Sequence, residues 1–312
     1  MGVFMTTISA SLVKELRDKT GAGMMDCKTA LTETSGDVEA AVDWLRKKGL
    51  SKAAKKSGRI AADGLIGVVA KGHAGAVVEV NSETDFVARN DQFQSLVRDV
   101  TGLAPDAKGD LAKLLADTYP GTKNSVETHV KEMVATIGEN MSVRRTAALS
   151  VKEGVVADYI HSRVADGLGK IGVLVALESA GDSPSLFELG RMIAMHVAAA
   201  SPVAIDIASV PASVLARERA ILEEKNQGKK PEMMEKIIAG GLKAYAKEFC
   251  LLEQTYIHDS SKTVAQALKD AAATVGAPVK VAGFVRYALG EGIDKKEEDF
   301  GEEVRKLAGG GH

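Results

Sequence analysis

Two short apolar runs joined by a glycine-containing turn constrain the fold of this chain more than any other feature. The runs are LIGVVAKG from Leu65 and AGAVVEVNS from Ala74, and KGHAG at 71–75 joins them. Their many β-branched residues predict an antiparallel β-hairpin beginning near residue 60. A helix is predicted to follow at 91–103, where Asp91 and Gln94 have the spacing of a capping box. The hairpin and helix together indicate a mixed α and β core.

A related order of strand, turn and helix returns in the second half of the chain. A strand begins near Leu168, residues 180–184 (AGDSP) form a turn, and a helix is predicted at 186–200 with Ser183 or Ser185 as its N-cap. Residues 143–151 predict a further strand, 110–140 read as helical, 262–275 as a helix, and the run from Val279 as a strand. The chain therefore uses a strand and helix unit twice.

The remaining segments are predicted to be helical. Residues 9–44 contain three short apolar-periodic stretches, the first capped by Ser9 or Ser11, which predict a three-helix module. Residues 214–225 and 232–249 predict an antiparallel helical hairpin, with Gly228 and Pro231 in its turn. Such a hairpin either projects from the body or packs on a second copy, and the sequence leaves both open. Residues 295–307 predict a charged C-terminal helix.

These elements indicate an α+β protein with five parts. They are an N-terminal three-helix module with its linker (1–58), a first core subdomain (59–152), a second core subdomain in two pieces (153–208 and 250–291), an inserted helical hairpin or coiled coil (209–249), and a C-terminal module (292–312). A chain of 312 residues with 45% hydrophobic content is long enough for about two domains with real cores.

Charge and cysteine content exclude several classes of protein. The net charge of −2 implies no general attraction to nucleic acid or to anionic membranes. The two cysteines, Cys27 and Cys250, lie far apart and fit a reducing compartment better than a disulfide framework. No export signal or membrane-length apolar run is present, so a cytoplasmic location is expected.

No motif for covalent chemistry or nucleotide binding was found. The chain lacks GxxxxGK[ST], HExxH and GxSxG patterns, and its histidines have no metal-ligand spacing. His196 lies on an apolar helical stripe and is predicted to be a satisfied core histidine. The basic run KKGLSKAAKKSGR at 47–59 could bind phosphate, but without interleaved aromatic residues a solvated connector is the favoured interpretation. No cofactor or metal is expected.

The turn after the first hairpin carries the most informative side chain. In EVNSETDFVARNDQF from Glu79, Phe86 lies among polar and acidic residues, in a chain with only 4% aromatic residues. An aromatic residue displayed near solvent indicates a receiving pocket on another molecule. The carboxylate of Asp85 could contact the same partner or cap the segment that follows, and both remain open. Met24 and Met25, just after a glycine-rich turn, could be core residues or contact residues.

Several motifs in collinear order resemble bacterial elongation factor Ts. They are SLVKELRDKTGAGMMDCKTAL near the N-terminus, AADG at 61–64, EVNSETDFVARND, TIGENMSVRR, IAMHVAA and FVRYALGEGI. TDFV alone would be a weak signal, but its conjunction with TGAGMMDCK is highly specific. The resemblance implies a guanine-nucleotide exchange factor, with no catalytic residues of its own, that binds the GTPase elongation factor Tu in its GDP-bound and nucleotide-free states.

The resemblance also assigns roles to individual residues. It implies that Thr84, Asp85, Phe86 and Val87 wedge into the partner and dislodge Mg²⁺. It implies further partner contacts by Leu12, Met24 and Met25 of a module similar to ubiquitin-associated domains, and by His161, which precedes the second strand unit. The helical hairpin matches the family's coiled-coil protrusion, through which a homodimer is left open. The alternative is a coiled-coil scaffold or RNA-associated adaptor, which the hairpin and the basic run would suit.

Overall fold

The fold was taken from a computed structural model, which describes residues 8–294. Eleven α-helices and seven β-strands occur in this range. The helices are α1 (Ala10–Thr20), α2 (Met24–Glu33), α3 (Val38–Lys56), α4 (Asp85–Ala88), α5 (Asp91–Ala107), α6 (Leu111–Ala116), α7 (Val126–Ile137), α8 (Ser183–Ala200), α9 (Ala212–Lys225), α10 (Pro231–Phe249) and α11 (Val264–Val275). The strands are β1 (Asp63–Lys71), β2 (Ala74–Ser82), β3 (Met141–Ser150), β4 (Gly154–His161), β5 (Leu168–Gly169), β6 (Ile171–Glu178) and β7 (Lys280–Ala288).

The strands form two antiparallel sheets. The first has the order β3-β2-β1-β5 and the second the order β4-β6-β7. The α+β class predicted from the sequence is confirmed, as is the hairpin of β1 and β2. The predicted C-terminal helix at 295–307 and most of the C-terminal module lie outside the described residues.

The two sheets pack face to face and helices cover their outer sides. Alternate residues of β2 separate these environments, because Val78 belongs to the core beneath α5 and α7 whereas Val77 belongs to the core between the sheets. The second sheet buries its other face against α8 and α11. The result is a layered core with helices, sheet, sheet and helices in that order.

The three-helix module has its own small core, built from Val13, Leu16, Cys27, Ala30, Leu31 and Ala41. Ser9 caps α1 by accepting a hydrogen bond from the Leu12 N–H at 3.2 Å, and Gly21 ends the helix with a left-handed φ of 67°. The predicted cap at Ser9 is therefore confirmed. Helix α3 continues through most of the basic run at 47–59. The third helix of the module and the connector are therefore a single helix.

Other predicted boundaries were wrong. Asn90, and not Asp91, caps α5, because its side-chain oxygen accepts the N–H groups of Gln92 at 2.9 Å and Phe93 at 3.2 Å. Asp182 caps α8 in place of either predicted serine, accepting from the Ser185 N–H at 3.0 Å. A carboxylate or amide one residue earlier reaches the free N–H groups with better geometry. The predicted helical region at 110–140 is interrupted between α6 and α7, and β4 was not predicted.

Candidate functional site

Helix α4 presents one aromatic side chain to solvent immediately after β2. Phe86 is 77% exposed, whereas Val87 and Ala88 are 6% and 2% exposed and belong to the core of the first sheet. Exposing a phenylalanine forgoes the roughly 1.5–3 kcal/mol that its burial would contribute to folding. The segment is therefore anchored by Val87 and displays Phe86.

The N-terminal side of this turn is fixed by a residue far along the chain. Both donors of Thr84 reach the Glu139 carboxylate, the backbone N–H at 2.9 Å from Oε2 and the hydroxyl at 2.7 Å from Oε1. In return the Glu83 carboxylate accepts the Asn140 N–H at 2.5 Å. The turn and the loop before β3 thus hold each other by reciprocal hydrogen bonds.

Asp85 does not cap either neighbouring helix. The N-cap positions of α4 and α5 are Thr84 and Asn90, and Asp85 is the first residue of α4. Its side chain is 53% exposed, with Arg89 at 3.7 Å, a weak surface pair. The capping role that the sequence left open for Asp85 is therefore wrong. Its carboxylate is exposed to solvent, and Asp85 directly precedes Phe86 in the chain.

A second exposed apolar patch lies at the start of α2. Met24 and Met25 are 60% and 72% exposed, while Cys27 behind them is fully buried. These methionines therefore do not fill the module core, so the core role that the sequence left open for them is wrong. Leu12 is partly buried and packs against the edge of the same core.

The basic run is largely engaged by groups of the chain itself. Asp26 contacts Lys52 at 2.9 Å and Lys48 at 3.4 Å. The Lys56 ammonium donates to the carbonyl of Gly138, and Arg59 lies 3.5 Å from Glu83. The pKa of the Asp26 carboxyl is held below its usual value, chiefly by the hydrogen bond from Lys52. These contacts favour a structural role for the run over phosphate binding.

Comparison with known proteins identifies the family. A family model described as "Elongation factor TS" matches residues 83–291. Proteins named "Elongation factor Ts" from Methylobacterium nodulans and Methylorubrum populi are each 59% identical, over 307 and 305 residues, covering 98% and 97% of this chain and 100% of each relative. The one from Xanthobacter autotrophicus is 56% identical over 305 residues, covering 98% of this chain and 99% of the relative. The chain belongs to the elongation factor Ts family.

In this member of the elongation factor Ts family, His161 lies at the end of β4 and is exposed. Its Nδ1 lies 3.2 Å from the Tyr159 hydroxyl, and Ser162 turns the chain away with a left-handed φ of 52°. The sequence placed His161 in a loop before a strand, whereas it ends a strand that pairs with β6. It therefore projects from the second sheet, while Phe86 projects beside the first.

A polar cleft of about 400 Å³ lies near His161, lined among others by Asp158, Arg163, Asp166 and Arg191. Burial raises the pKa of Asp158, and the nearby Arg191 and Arg163 oppose that rise. Within residues 8–294, no group of three or more His, Cys, Asp or Glu side chains is arranged to hold a metal ion.

His196 is a core residue in this elongation factor Ts family member, as predicted. It is fully buried, with Nε2 3.0 Å from Gln254 Oε1 and Nδ1 accepting the Ile257 N–H at 3.3 Å. Burial lowers its pKa, which favours the neutral form of the ring. Cys27 and Cys250 are both buried free thiols. No helix in the described range is both long and apolar enough to cross a bilayer.

Sequence reasoning missed the residues that hold the turn. Glu139 and Asn140 belong to the quoted motif TIGENMSVRR but received no role, because nothing local links them to Thr84, 55 residues away from Glu139. One signal was available in the sequence: Gly138 directly follows an amphipathic helical stretch, where a glycine commonly ends a helix and reverses the chain. In the structure this glycine has a left-handed φ of 92°. A polar pair directly after such a reversal is a candidate for bridging to another loop.

Proposed function

We propose that this chain is a guanine-nucleotide exchange factor for the translational GTPase elongation factor Tu. It binds the GDP-bound partner, hastens GDP release and stays bound to the nucleotide-free state during translation elongation. Membership of the elongation factor Ts family supports this activity. The structural observation that carries the proposal is Phe86, 77% exposed on a turn whose neighbours are fixed. This activity takes place in the cytoplasm, where translation occurs.

The exchange mechanism rests on the segment from Thr84 to Val87. A GTPase holds its nucleotide through Mg²⁺, which bridges phosphate oxygens and is the largest local positive charge on them. A side chain that wedges the partner open and displaces this ion weakens the hold on GDP. Phe86 contributes its apolar burial only in the opened complex, and Val87 anchors the wedge in this chain's own core. The exposed Asp85 carboxylate would meet the partner beside it.

Exchange of this kind is a coupling between two ligands of the partner. If the factor lowers the affinity for GDP by some ratio, GDP lowers the affinity for the factor by the same ratio. Each tenfold change corresponds to about 1.4 kcal/mol. No covalent bond is made or broken, so the activity requires neither a nucleophile nor an acid–base pair, and the chain is not an enzyme in that sense.

The remaining contacts are assigned to two other surfaces. Met24, Met25 and Leu12 form the contact face of a module similar to ubiquitin-associated domains, and His161 contacts the partner from the second sheet. The solvent exposure of Met24, Met25 and His161 supports this assignment. The helical hairpin of α9 and α10 provides a further surface, for the partner or for a second copy.

The test is replacement of the wedge residue. Phe86→Ala is expected to slow factor-stimulated release of GDP by roughly tenfold to a hundredfold, the equivalent of burying a phenylalanine. Stopped-flow fluorescence of labelled GDP leaving elongation factor Tu measures this rate. Ile257→Ala is the matched control, because Ile257 is 47% exposed but belongs to none of the proposed surfaces. Unchanged release at saturating Phe86→Ala would contradict the wedge assignment.

A further inference from the structure

We propose that Glu139 is a positioning residue, which holds the turn so that Phe86 projects in the orientation required for exchange. This inference rests on the proposed function. Its basis is the two-point hydrogen bond in which one carboxylate accepts both the N–H and the hydroxyl of Thr84, at 2.9 and 2.7 Å. Two donors on one residue fix a backbone position and a side-chain rotamer together.

Helix α4 needs such support because it cannot hold its own position. It has only four residues, far fewer than a helix requires for stability in isolation. Its N-cap residue, Thr84, makes no side-chain capping bond, and its hydroxyl donates to Glu139. The helix therefore has no side-chain cap of its own and is linked at its start to a distant loop.

The loop that carries Glu139 is itself held on several sides. The Gly138 N–H donates to the Val134 carbonyl at 3.0 Å, and the Gly138 carbonyl accepts the Lys56 ammonium. The Asn140 side chain donates to the Arg59 carbonyl at 2.7 Å, and β3 begins at the next residue. Helix α7, the end of α3 and strand β3 thus converge on Glu139, which gives the turn a rigid support.

Phe86 lies between two fixed points of the chain. Thr84, two residues before it, is held by Glu139, and Val87, one residue after it, is buried in the core. Releasing the first point leaves the second, so the turn would keep its general location but sample more orientations. A binding group that is not held in its bound orientation binds more weakly, because the entropic cost of ordering it reduces the free energy of binding.

Glu139→Ala is the first test, in the full-length chain. We expect the second-order rate constant for stimulated GDP release to fall about tenfold, which corresponds to the loss of a charge-assisted contact. Glu139→Gln, which keeps one carbonyl acceptor, should fall between this variant and the parent. Glu127→Ala is the control, because Glu127 lies on α7, its side chain is 56% exposed, and it pairs with Lys131 at 2.6 Å.

A double-mutant cycle separates positioning from general stability. In a Phe86→Ala background, Glu139→Ala should slow release by less than about twofold more, because the group that it positions is already gone. Equal losses in both backgrounds would overturn the proposal. If Phe86→Ala alone has no effect, the wedge assignment fails and this inference with it. If Phe86→Ala slows release and Glu139→Ala does not, only the positioning role fails.

Hydrogen exchange of the Thr84 amide supplies a readout that does not depend on the partner. In Glu139→Ala this amide should exchange faster, while the amides of the second sheet keep their protection. Slower GDP release with unchanged Thr84 protection would mean that Glu139 acts on the partner directly, and would overturn positioning. Should Glu139→Ala fail to fold, Thr84→Val is the substitute variant, because it removes only the hydroxyl donor. We expect Thr84→Val to slow stimulated GDP release severalfold in the parent and to have no further effect in a Phe86→Ala background.

Discussion

Gly49 of α3 lies directly against Ala135 of α7, so closely that a Cβ added at Gly49 would be 3.1 Å from the Ala135 Cβ. Arg46, one turn earlier in α3, reaches Glu132 of α7 at 3.2 Å and Asn124 at 2.8 Å. The three-helix module is therefore packed on the core through its third helix. This contact sets the spacing between the methionines of α2 and the turn that carries Phe86.

Enlarging Gly49 tests this packing. Gly49→Leu should destabilise the protein by about 1–3 kcal/mol, because extra methylene groups in a filled contact force the helices apart. It should also weaken binding of elongation factor Tu, since the two contact surfaces would lose their spacing. Urea unfolding and a binding titration measure the two effects.

Gly102→Leu provides the control for Gly49→Leu. Gly102 is an exposed residue of α5, and a Cβ there would meet nothing within 4 Å. Replacing a helical glycine without a steric clash should leave stability equal or raise it by up to about 1 kcal/mol. If Gly49→Leu proves as harmless as Gly102→Leu, the contact of α3 with α7 does not fix the module.

Replacing both exposed methionines should separate binding from stability. Met24→Ala with Met25→Ala is expected to change the free energy of unfolding by no more than about 0.5 kcal/mol, because both side chains already face water. Affinity for elongation factor Tu should fall about tenfold or more, as for apolar residues at the centre of an interface. Calorimetric titration measures the affinity and thermal unfolding measures the stability.

Met192→Ala is the matched comparison for the methionine pair, because Met192 is 38% exposed on α8 and belongs to no proposed contact surface. It should leave affinity unaltered. A large loss of stability in the variant with Met24→Ala and Met25→Ala would instead mean that these side chains stabilise the module core, and would contradict the contact role.

The buried carboxylate of Glu79 should make stability depend on acid pH. Glu79 is fully buried and accepts hydrogen bonds from Arg145 at 2.5 Å, the Gly290 N–H at 2.8 Å and Asn81 at 3.0 Å, with Arg144 at 3.1 Å. Burial disfavours its charge, but these bonds outweigh burial and hold its pKa below the usual value. Glu79→Gln should cost about 3 kcal/mol at neutral pH, near the lower end for breaking a buried pair, because both arginines are partly exposed.

The sign of the pH effect follows from the lowered pKa. The stabilisation is fully present above the unfolded value of about 4.3 and is lost as pH falls from there through the lower folded value. Unfolding experiments from pH 7 to pH 3 should show a shallower loss for Glu79→Gln than for the parent. Glu291→Gln, whose carboxylate is 51% exposed and 3.5 Å from Arg145, should change stability by less than about 1 kcal/mol. Parallel pH curves for parent and Glu79→Gln would refute this account.

Most of the fold was predictable because it depends on local patterns. The hairpin of β1 and β2 and the paired helices α9 and α10 have clear periodicity with turn residues at their ends. Strand β4 was missed because Val155, Val156 and Ala157 are all buried, without the alternation that marks a half-buried strand. Its identity depends on pairing with β6, which no local signal reports.

The candidate site was predictable in its displayed residues but not in its supports. Phe86 was found because a lone aromatic residue in a polar turn is unusual wherever the chain folds. Helix α4 is too short to give a periodic signal, and the link from Thr84 to Glu139 spans 55 residues. Such contacts follow from tertiary packing, so the sequence indicated what is displayed and not what holds it.

The hydrogen bond from Gly290 to Glu79 joins residues 211 positions apart, which sets an order of events during synthesis. Chains emerge from the ribosome N-terminus first, and early segments fold before later ones exist. Strands β1 to β3 can pair and bury their helical side while the Glu79 carboxylate still faces water with its two arginines. Only when β7 emerges, after the helical hairpin, does the second sheet gain its last strand and Glu79 its last donor. Closure of β7 onto β6 is therefore the step that completes the second sheet and supplies Glu79 with its last hydrogen bond.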